Sequence, residues 1–140
     1  MEIELTIQGE PQGKGRPKFS TASGVVSVHT PAGTVAYENL MRHYYKAKYQ
    51  GVIFDKGVPL KMEIKAFYGI PKSISQKKRC AMMVGVTRPT KKPDIDNIAK
   101  IIADSLNKFA YYDDSQIVKL TAEKYYSDTP RVEVIIEELR

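Results

Sequence analysis

Residues 2–8 alternate between apolar and polar, with Ile3, Leu5 and Ile7 set against Glu2, Glu4 and Thr6. A period of two belongs to a strand with one buried face. Residues 59–69 repeat the pattern, with Leu60, Met62, Ile64 and Ala66 against Lys61, Glu63 and Lys65. Residues 116–126 and 131–138 read as two more strands, and Ser127-Asp128-Thr129-Pro130 between them predicts a turn closing an antiparallel hairpin. Two segments switch to helical spacing. In the first, Thr30 is the predicted cap, Pro31 the first helical residue and Gly51 the stop, with Tyr37, Leu40, Met41, Tyr44 and Tyr45 on one face. In the second, Asp94 to Lys108, the apolar positions are Ile98, Ile101, Ile102, Leu106 and Phe109. The Gly- and Pro-rich stretch 9–24 predicts a loop or irregular hairpin. Residues 71–93 have the least core character, with room for a short helix capped by Ser73 or Ser75. No repeat or internal boundary interrupts the chain. The expectation is one α+β domain over residues 1–140, a small mixed sheet flanked by two main helices.

Composition narrows this further. With 42% apolar and 27% charged residues the chain is ordinary globular protein. At 140 residues it is long enough to bury a core without disulfides or a structural metal. No apolar run approaches the ~20 residues that cross a bilayer, and the acidic start MEIELTIQGE does not resemble a signal peptide. The lone Cys80 cannot form an internal bridge, which suits a reducing cytoplasm. A soluble, intracellular protein with no membrane partner is expected.

Charge is distributed unevenly. Residues 51–93 hold ten Lys or Arg against two Asp or Glu, whereas residues 94–140 hold six against ten, within a chain of net charge +6. A basic middle joined to an acidic last third suits a protein that attracts a polyanion and sets carboxylates against it. The cations fall into three groups: Lys14, Arg16 and Lys18; Lys72, Lys77, Lys78 and Arg79; Arg88, Lys91 and Lys92. As phosphate contacts they give affinity without sequence choice.

The carboxylates carry the candidate chemistry. Asp94 and Asp96 open the second helix, and Asp113 and Asp114 follow it. A cap requires one carboxylate, and the helix with its return predicts that all four gather at one end. Two carboxylates ~5 Å apart repel by roughly 3 kcal/mol at an effective dielectric of about 20, so such a cluster calls for a proton or a cation. With all-oxygen ligands that cation is magnesium or manganese rather than zinc. A calcium-loop pattern is excluded, because Ile98 occupies a ligand position and the required glycine is absent. Lys100, four residues after Asp96, reads either as an ion pair on the helix surface or as a cation directed at a phosphate. Asn97 is either a capping residue or an amide that orients the site.

The string PDIDN, Lys100, the apolar helix with Asp104, Leu106 and Asn107, and YDDSQI with Asp114, Gln116 and Ile117 together resemble the RusA family. These are crossover junction endodeoxyribonucleases that resolve Holliday junctions, and many are carried by phages and prophages. Gly13-Lys14-Gly15-Arg16-Pro17-Lys18-Phe19 and Thr30-Pro31 are similar to the phage and Bacillus-type branch. The resemblance implies a RusA-like fold and a C2 homodimer. It places three catalytic, metal-binding aspartates on Asp94, Asp96 and Asp114 and a catalytic lysine on Lys100, with Asn97, Asp113 and Gln116 as possible support. It implies Mg2+, with Mn2+ able to substitute, as the cofactor, branched four-way DNA as the substrate, and a role in DNA recombination and repair within a bacterial cell, phage- or prophage-encoded.

Hydrolysis of a phosphodiester needs an activated water and a charge clamp on the leaving oxygen, both of which a carboxylate-held magnesium supplies. A four-way junction has approximate twofold symmetry that a C2 dimer matches; the apolar faces of the last strand (Val132, Val134, Ile136) and of the long helix are candidate interfaces. Two other readings remain open. One is a non-catalytic basic DNA-binding module; the other is a metal nuclease acting on other branched DNA or on RNA. No nucleotide cofactor is expected, because Gly9-Glu10-Pro11-Gln12-Gly13-Lys14-Gly15 is one residue short of a phosphate-binding loop and ends in Gly. His29 and His43 lack a third partner at ligand spacing and read as structural. Tyr111-Tyr112 and Tyr125-Tyr126 can stack on bases, but such pairs more often place one ring in the core and one at the surface.

Overall fold

The computed structural model describes residues 1–21 and 24–139, the side chains of Lys18 and Ser20 excepted. Strand β1 (Glu2–Gln8) leads through a loop to a small hairpin, β2 (Lys18–Ser20) and β3 (Ser27–His29), and then to helix α1 (Ala32–Tyr49). Strand β4 (Leu60–Gly69), helices α2 (Gln76–Met83) and α3 (Ile95–Leu106), a 3-10 turn at Asp114–Gln116, and strands β5 (Ile117–Ser127) and β6 (Arg131–Glu138) complete the chain. No helix among the described residues is long and apolar enough to cross a membrane.

β1, β4 and β6 alternate as their sequences predict. Ile3, Leu5 and Ile7, Leu60, Met62, Ile64, Ala66 and Tyr68, and Val132, Val134 and Ile136 are all buried on one face. Helices α1 and α3 pack together over this face through Tyr37, Met41 and Tyr45 of one and Ile98, Ile101, Ile102 and Leu106 of the other. Arg42 of α1 ties the two by donating to the Ser105 carbonyl of α3 at 2.9 Å. Because Val132, Val134 and Ile136 lie in this core, the last strand cannot present them as an interface.

The sheet order is β1-β6-β4-β5, mixed as expected, but β5 and β6 do not form a hairpin. β4 lies between them, parallel to β5 with Gly69 opposite Ser127 and antiparallel to β6 with Phe67 opposite Arg131. The segment Ser127–Pro130 therefore steps over the end of β4, about 10 Å across at the usual strand spacing. The passage from β4 to β5 runs through α2 and α3, the crossover that a parallel pair requires. β1 is an edge strand, and α1 covers it: Tyr49 and Lys48 both bond the Glu4 backbone, which blunts an edge that would otherwise recruit another strand.

Several local expectations shift. α1 begins one residue later than predicted, with Pro31 as cap and no side-chain capping bond. It ends at Gln50 in the left-handed region (φ 49°), followed by Gly51 at φ 85°. α2 is capped by Ser75, whose hydroxyl accepts from Lys78 N. Phe109 falls beyond α3, half-buried beneath the cations of Arg42 and Lys46. His29 and His43 are both exposed, so neither is a core group. Tyr111 is buried and Tyr112 exposed, whereas Tyr125 stacks on Phe67 with ring centres 5.3 Å apart.

Candidate active site

The first turn of α3 is held from several sides. Tyr68, at the last inward position of β4, donates its hydroxyl to the Pro93 carbonyl at 2.7 Å. From the opposite side the loop after β1 passes so close that a Cβ on Gly13 would lie 2.9 Å from Pro93 and 3.2 Å from Asn97, and Lys14 N donates to the Asn97 carbonyl at 3.1 Å. Gly13 is thus fixed as glycine by close approach. Burial, then the charges of Glu10 and Asp94, push the Tyr68 hydroxyl up to about 12, so it remains a donor at neutral pH. Glu10 itself accepts from Gly69 N at 3.0 Å.

This clasp presents Asp94 and Asp96. Asp94 occupies the N-cap with extended backbone (φ −68°, ψ 149°), yet its carboxylate makes no capping bond. Neither Asp94 nor Asp96 has a hydrogen-bonded or ion-paired side chain among the described residues, and both are exposed. Capping therefore does not explain them. Two carboxylates two residues apart stand at the N-terminal end of α3, where the positive pole of the helix dipole attracts negative charge. Beside them is a shallow cavity of about 370 Å³ lined in part by Gln12, Lys92, Asp94 and Asn97.

Lys14 and Lys100 have different fates. The Lys14 ammonium turns inward to Glu38 at 2.9 Å and Asp104 at 3.1 Å. Burial opposes its charge, but the two carboxylates outweigh burial and hold its pKa above the ordinary value. It is a strut between α1 and α3 rather than a free cation for DNA. Lys100, 63% exposed, stands 3.8 Å from Asp104 and not on Asp96. Its ammonium remains accessible to a phosphate on the helix that carries the two aspartates.

Asp113 and Asp114 lie elsewhere. Asp114 opens the 3-10 turn leading into β5, and Ile117 faces Leu60 at the start of β4, whereas Tyr68 and Pro93 meet at its far end. α3 is twelve residues long, about 18 Å of axis; Asp94 and Asp96 stand at its first turn, and Asp113 and Asp114 follow its other end. Among the described residues no three His, Cys, Asp or Glu side chains come together as a metal would require. The gathering of all four carboxylates at one end of α3 is thus not made within one chain, because the segment after α3 runs straight into β5 without returning.

The far turn is itself well ordered. Asp113 accepts from the backbone N and the hydroxyl of Ser115, and Lys108 stands 3.6 Å away; the Ser115 bonds first, then Lys108, hold its pKa below the usual carboxylate range. Gln116 is buried: its amide donates to the Asp55 and Val58 carbonyls, and its oxygen accepts from Tyr112 N and Asp113 N. Asp113 is therefore committed to capping and Gln116 to bracing. Asp114, half-buried, makes no hydrogen bond or ion pair among the described side chains.

Of the remaining cations, Arg16, Lys72, Lys77, Lys78, Lys91 and Lys92 are exposed. Arg79 pairs with Asp128, and Arg88 lies 4.0 Å over the Tyr125 ring while donating to the Gly85 and Lys124 carbonyls. These two are held by the protein. The side chain of Lys18 lies outside the described ones.

The family model described as Endodeoxyribonuclease RusA matches residues 8–137. The chain belongs to the RusA endodeoxyribonuclease family. It is 33% identical over 142 residues to the crossover junction endodeoxyribonuclease rusA of Lactococcus phage r1t, covering 99% of this chain and 98% of that protein. It is also 38% identical over 139 residues to the uncharacterized protein YqaN of Bacillus subtilis (strain 168), covering 98% and 96%. As a RusA-family member the chain is a nuclease, a phosphodiester hydrolase acting on DNA. The donor chemistry at α3 suits such an enzyme: two free carboxylates with no soft ligand nearby fit a hard divalent ion, which commonly binds one or two carboxylates and takes other ligands from water and phosphate.

Sequence reasoning passed over Tyr68, which holds the carbonyl of the residue before Asp94, and Glu10, which holds the end of β4 beside it. The signal for Tyr68 is its parity: it continues the inward series of β4 at the strand's end, where a buried tyrosine needs a partner for its hydroxyl.

Proposed function

We propose that this chain is a divalent-metal-dependent Holliday junction resolvase that works as a twofold homodimer. The observation that carries the proposal is the pair of unpaired carboxylates, Asp94 and Asp96, clasped at the first turn of α3 in a RusA-family chain. Asp94 and Asp96 would hold magnesium, with manganese as a substitute; the ion supplies a water that is acidic enough to attack at neutral pH and charge to offset the leaving oxygen. Because one chain keeps Asp114 at the other end of α3, the third acid of each site is the partner's Asp114, a placement that an antiparallel twofold pairing of α3 achieves. Catalysis then requires the dimer, and two equivalent sites match the two nicks that resolution needs.

The chain's own groups divide the remaining work. Tyr68 and Gly13 fix the direction in which Asp94 and Asp96 point. Lys100 stabilises the scissile phosphate through its exposed ammonium. Arg16, Lys72, Lys77, Lys78, Lys91 and Lys92 hold the arms of the junction through their phosphates. A phage-type relative agrees with a phage or prophage origin and with a role in DNA recombination and repair. Cleavage of a synthetic four-way junction with and without magnesium, comparing the wild type with Asp96→Asn, tests the reading. Metal-dependent paired nicks lost in Asp96→Asn support it; equal cleavage by both proteins, or none by either, overturns it.

A further inference from the structure

Residues 17–21 and 24–30 belong to an arm whose apolar side chains the catalytic reading leaves without a task. Its two ends meet: Gly15 N donates to the Thr34 hydroxyl at 3.0 Å, and a Cβ on Gly15 would lie 2.9 Å from Pro31. Between them β2 and β3 pair only over Lys18–His29, Phe19–Val28 and Ser20–Ser27, a ladder too short to be stable as an isolated hairpin. The arm nevertheless exposes four large apolar side chains: Phe19 at 73%, Val25 at 67%, Val26 at 65% and Val28 at 59%. Single exposed apolar residues need no explanation, but a contiguous group marks a surface that something covers.

The surroundings indicate what covers it. No Asp or Glu occurs between Glu10 and Glu38, while Arg16 and Lys18 fall in that interval beyond Lys14, which is already paired with Glu38 and Asp104. An apolar tip in an acid-free, cationic setting complements a ligand with flat apolar faces and a polyanionic frame. A second copy fits less well, because a twofold contact sets a patch against itself and would bring the exposed Arg16 toward its own equivalent. The root of the arm also touches the active site, since Gly13 lies on Pro93 and Asn97 and Lys14 N bonds Asn97. Phe19 is four residues beyond Gly15, a reach of at most ~14 Å.

We propose that this arm is a wedge that enters the branch point of the bound junction, with Phe19 stacking on a base face exposed there and Val28 supporting its ring from the neighbouring strand. The inference rests on the junction reading above. It follows how inserted apolar side chains unstack a base step while flanking cations hold the phosphates. The wedge supplies selectivity for branched DNA, because an intact duplex presents no open face to receive it.

The test uses a four-way junction with 2-aminopurine beside the crossover, whose fluorescence rises on unstacking. Binding of the full chain is followed without divalent metal, and cleavage is followed with magnesium. For the wild type, fluorescence rises on binding and the junction is cut. For Phe19→Ala the rise disappears and junction cleavage falls about tenfold, the effect of removing one ring stacked on a base, while affinity for plain duplex is unchanged. Phe19→Tyr, which keeps the ring, retains both signals. A Phe19→Ala protein that still unstacks and cuts normally overturns the wedge while leaving the resolvase reading intact. Wild type that neither binds nor cuts the junction overturns the resolvase reading and the wedge together. A shift of Phe19→Ala from dimer to monomer in light scattering assigns the patch to a second copy and also overturns the wedge.

Discussion

The hydroxyl of Tyr68 and the carbonyl of Pro93, 25 residues apart in sequence, form a 2.7 Å hydrogen bond that joins the end of β4 to the start of α3. This bond connects the core sheet to the turn that bears Asp94 and Asp96. Replacing Tyr68 by Phe leaves a partly buried carbonyl without its partner, at a cost of about 1–3 kcal/mol. Denaturant unfolding should show that loss. Junction cleavage should fall more than junction binding, because the carboxylates lose their fixed direction while the cations are untouched.

Tyr37 behaves in the opposite way. Its hydroxyl is buried without a hydrogen-bond partner among the described residues, and burial pushes its pKa up to about 12. Tyr37→Phe should therefore be neutral or stabilising, since it removes an unsatisfied polar atom and little volume. The same shift sets a sign for alkaline stability. Above about pH 10 the unfolded chain releases a proton that the native state keeps, so native stability falls as pH rises toward 12. Thermal melts across this range should decline less steeply in Tyr37→Phe, by at most about 1.4 kcal/mol per pH unit.

Lys14→Met should damage the fold rather than the DNA contact. The substitution leaves Glu38, 10% exposed in its side chain, and Asp104 without the ammonium they share. Loss of one partner from a largely buried ion pair costs about 3 kcal/mol. Arg16→Ala, at an exposed position two residues on, should leave the melting temperature within about 2 °C and weaken junction binding. Equal stability of the two variants would show that the strut is dispensable.

Separation of the acids along α3 makes a mixing experiment decisive for the proposed homodimer. Asp96→Asn and Asp114→Asn should each lower cleavage by about 100-fold or more and leave junction binding nearly unchanged. Mixed and allowed to exchange subunits, the two inactive proteins should regain single-strand nicking, because one of the two composite sites in a heterodimer is intact. No recovery in a mixture shown to exchange would mean that the partner's Asp114 does not complete the site.

The exposed lysines around α2 should control salt dependence. For the wild type, log affinity for the junction against log salt should fall steeply. Replacing Lys77 and Lys78 together by Ala should reduce the slope by about 0.9 for each phosphate that is no longer neutralised. Arg79→Ala should change the slope less, because that guanidinium is already occupied by Asp128.

How far the sequence could be read depended on the range of the interaction. Ile3, Leu5 and Ile7, or Ile98, Ile101 and Ile102, declare strand and helix because burial on one face imposes a period on nearby residues. The cap at Ser75 and the stop at Gly51 are equally local. The partner of β5 is not: Leu120 shows that it belongs to a strand but not that Met62 lies beside it. An antiparallel hairpin was therefore the natural expectation from the Ser127–Pro130 turn, and the interposed β4 overturned it.

The candidate site divides in the same way. Asp94, Asp96, Lys100 and Asp114, together with the acid-free basic arm, are legible from residue types, order and resemblance, because side-chain chemistry is carried by each residue alone. Which carboxylates are free and which are committed is not. Asp113 is bound by Ser115 and Lys108, Lys14 turns to Glu38, and Asp94 leaves its helix uncapped, all through partners whose positions follow from packing. The primary structure determined the chemistry available to this protein and the elements that carry it. Only the tertiary structure decided that the two acidic pairs stand at opposite ends of α3, since that separation arises from a parallel strand pairing, and parallel pairing is a long-range contact that no local pattern encodes.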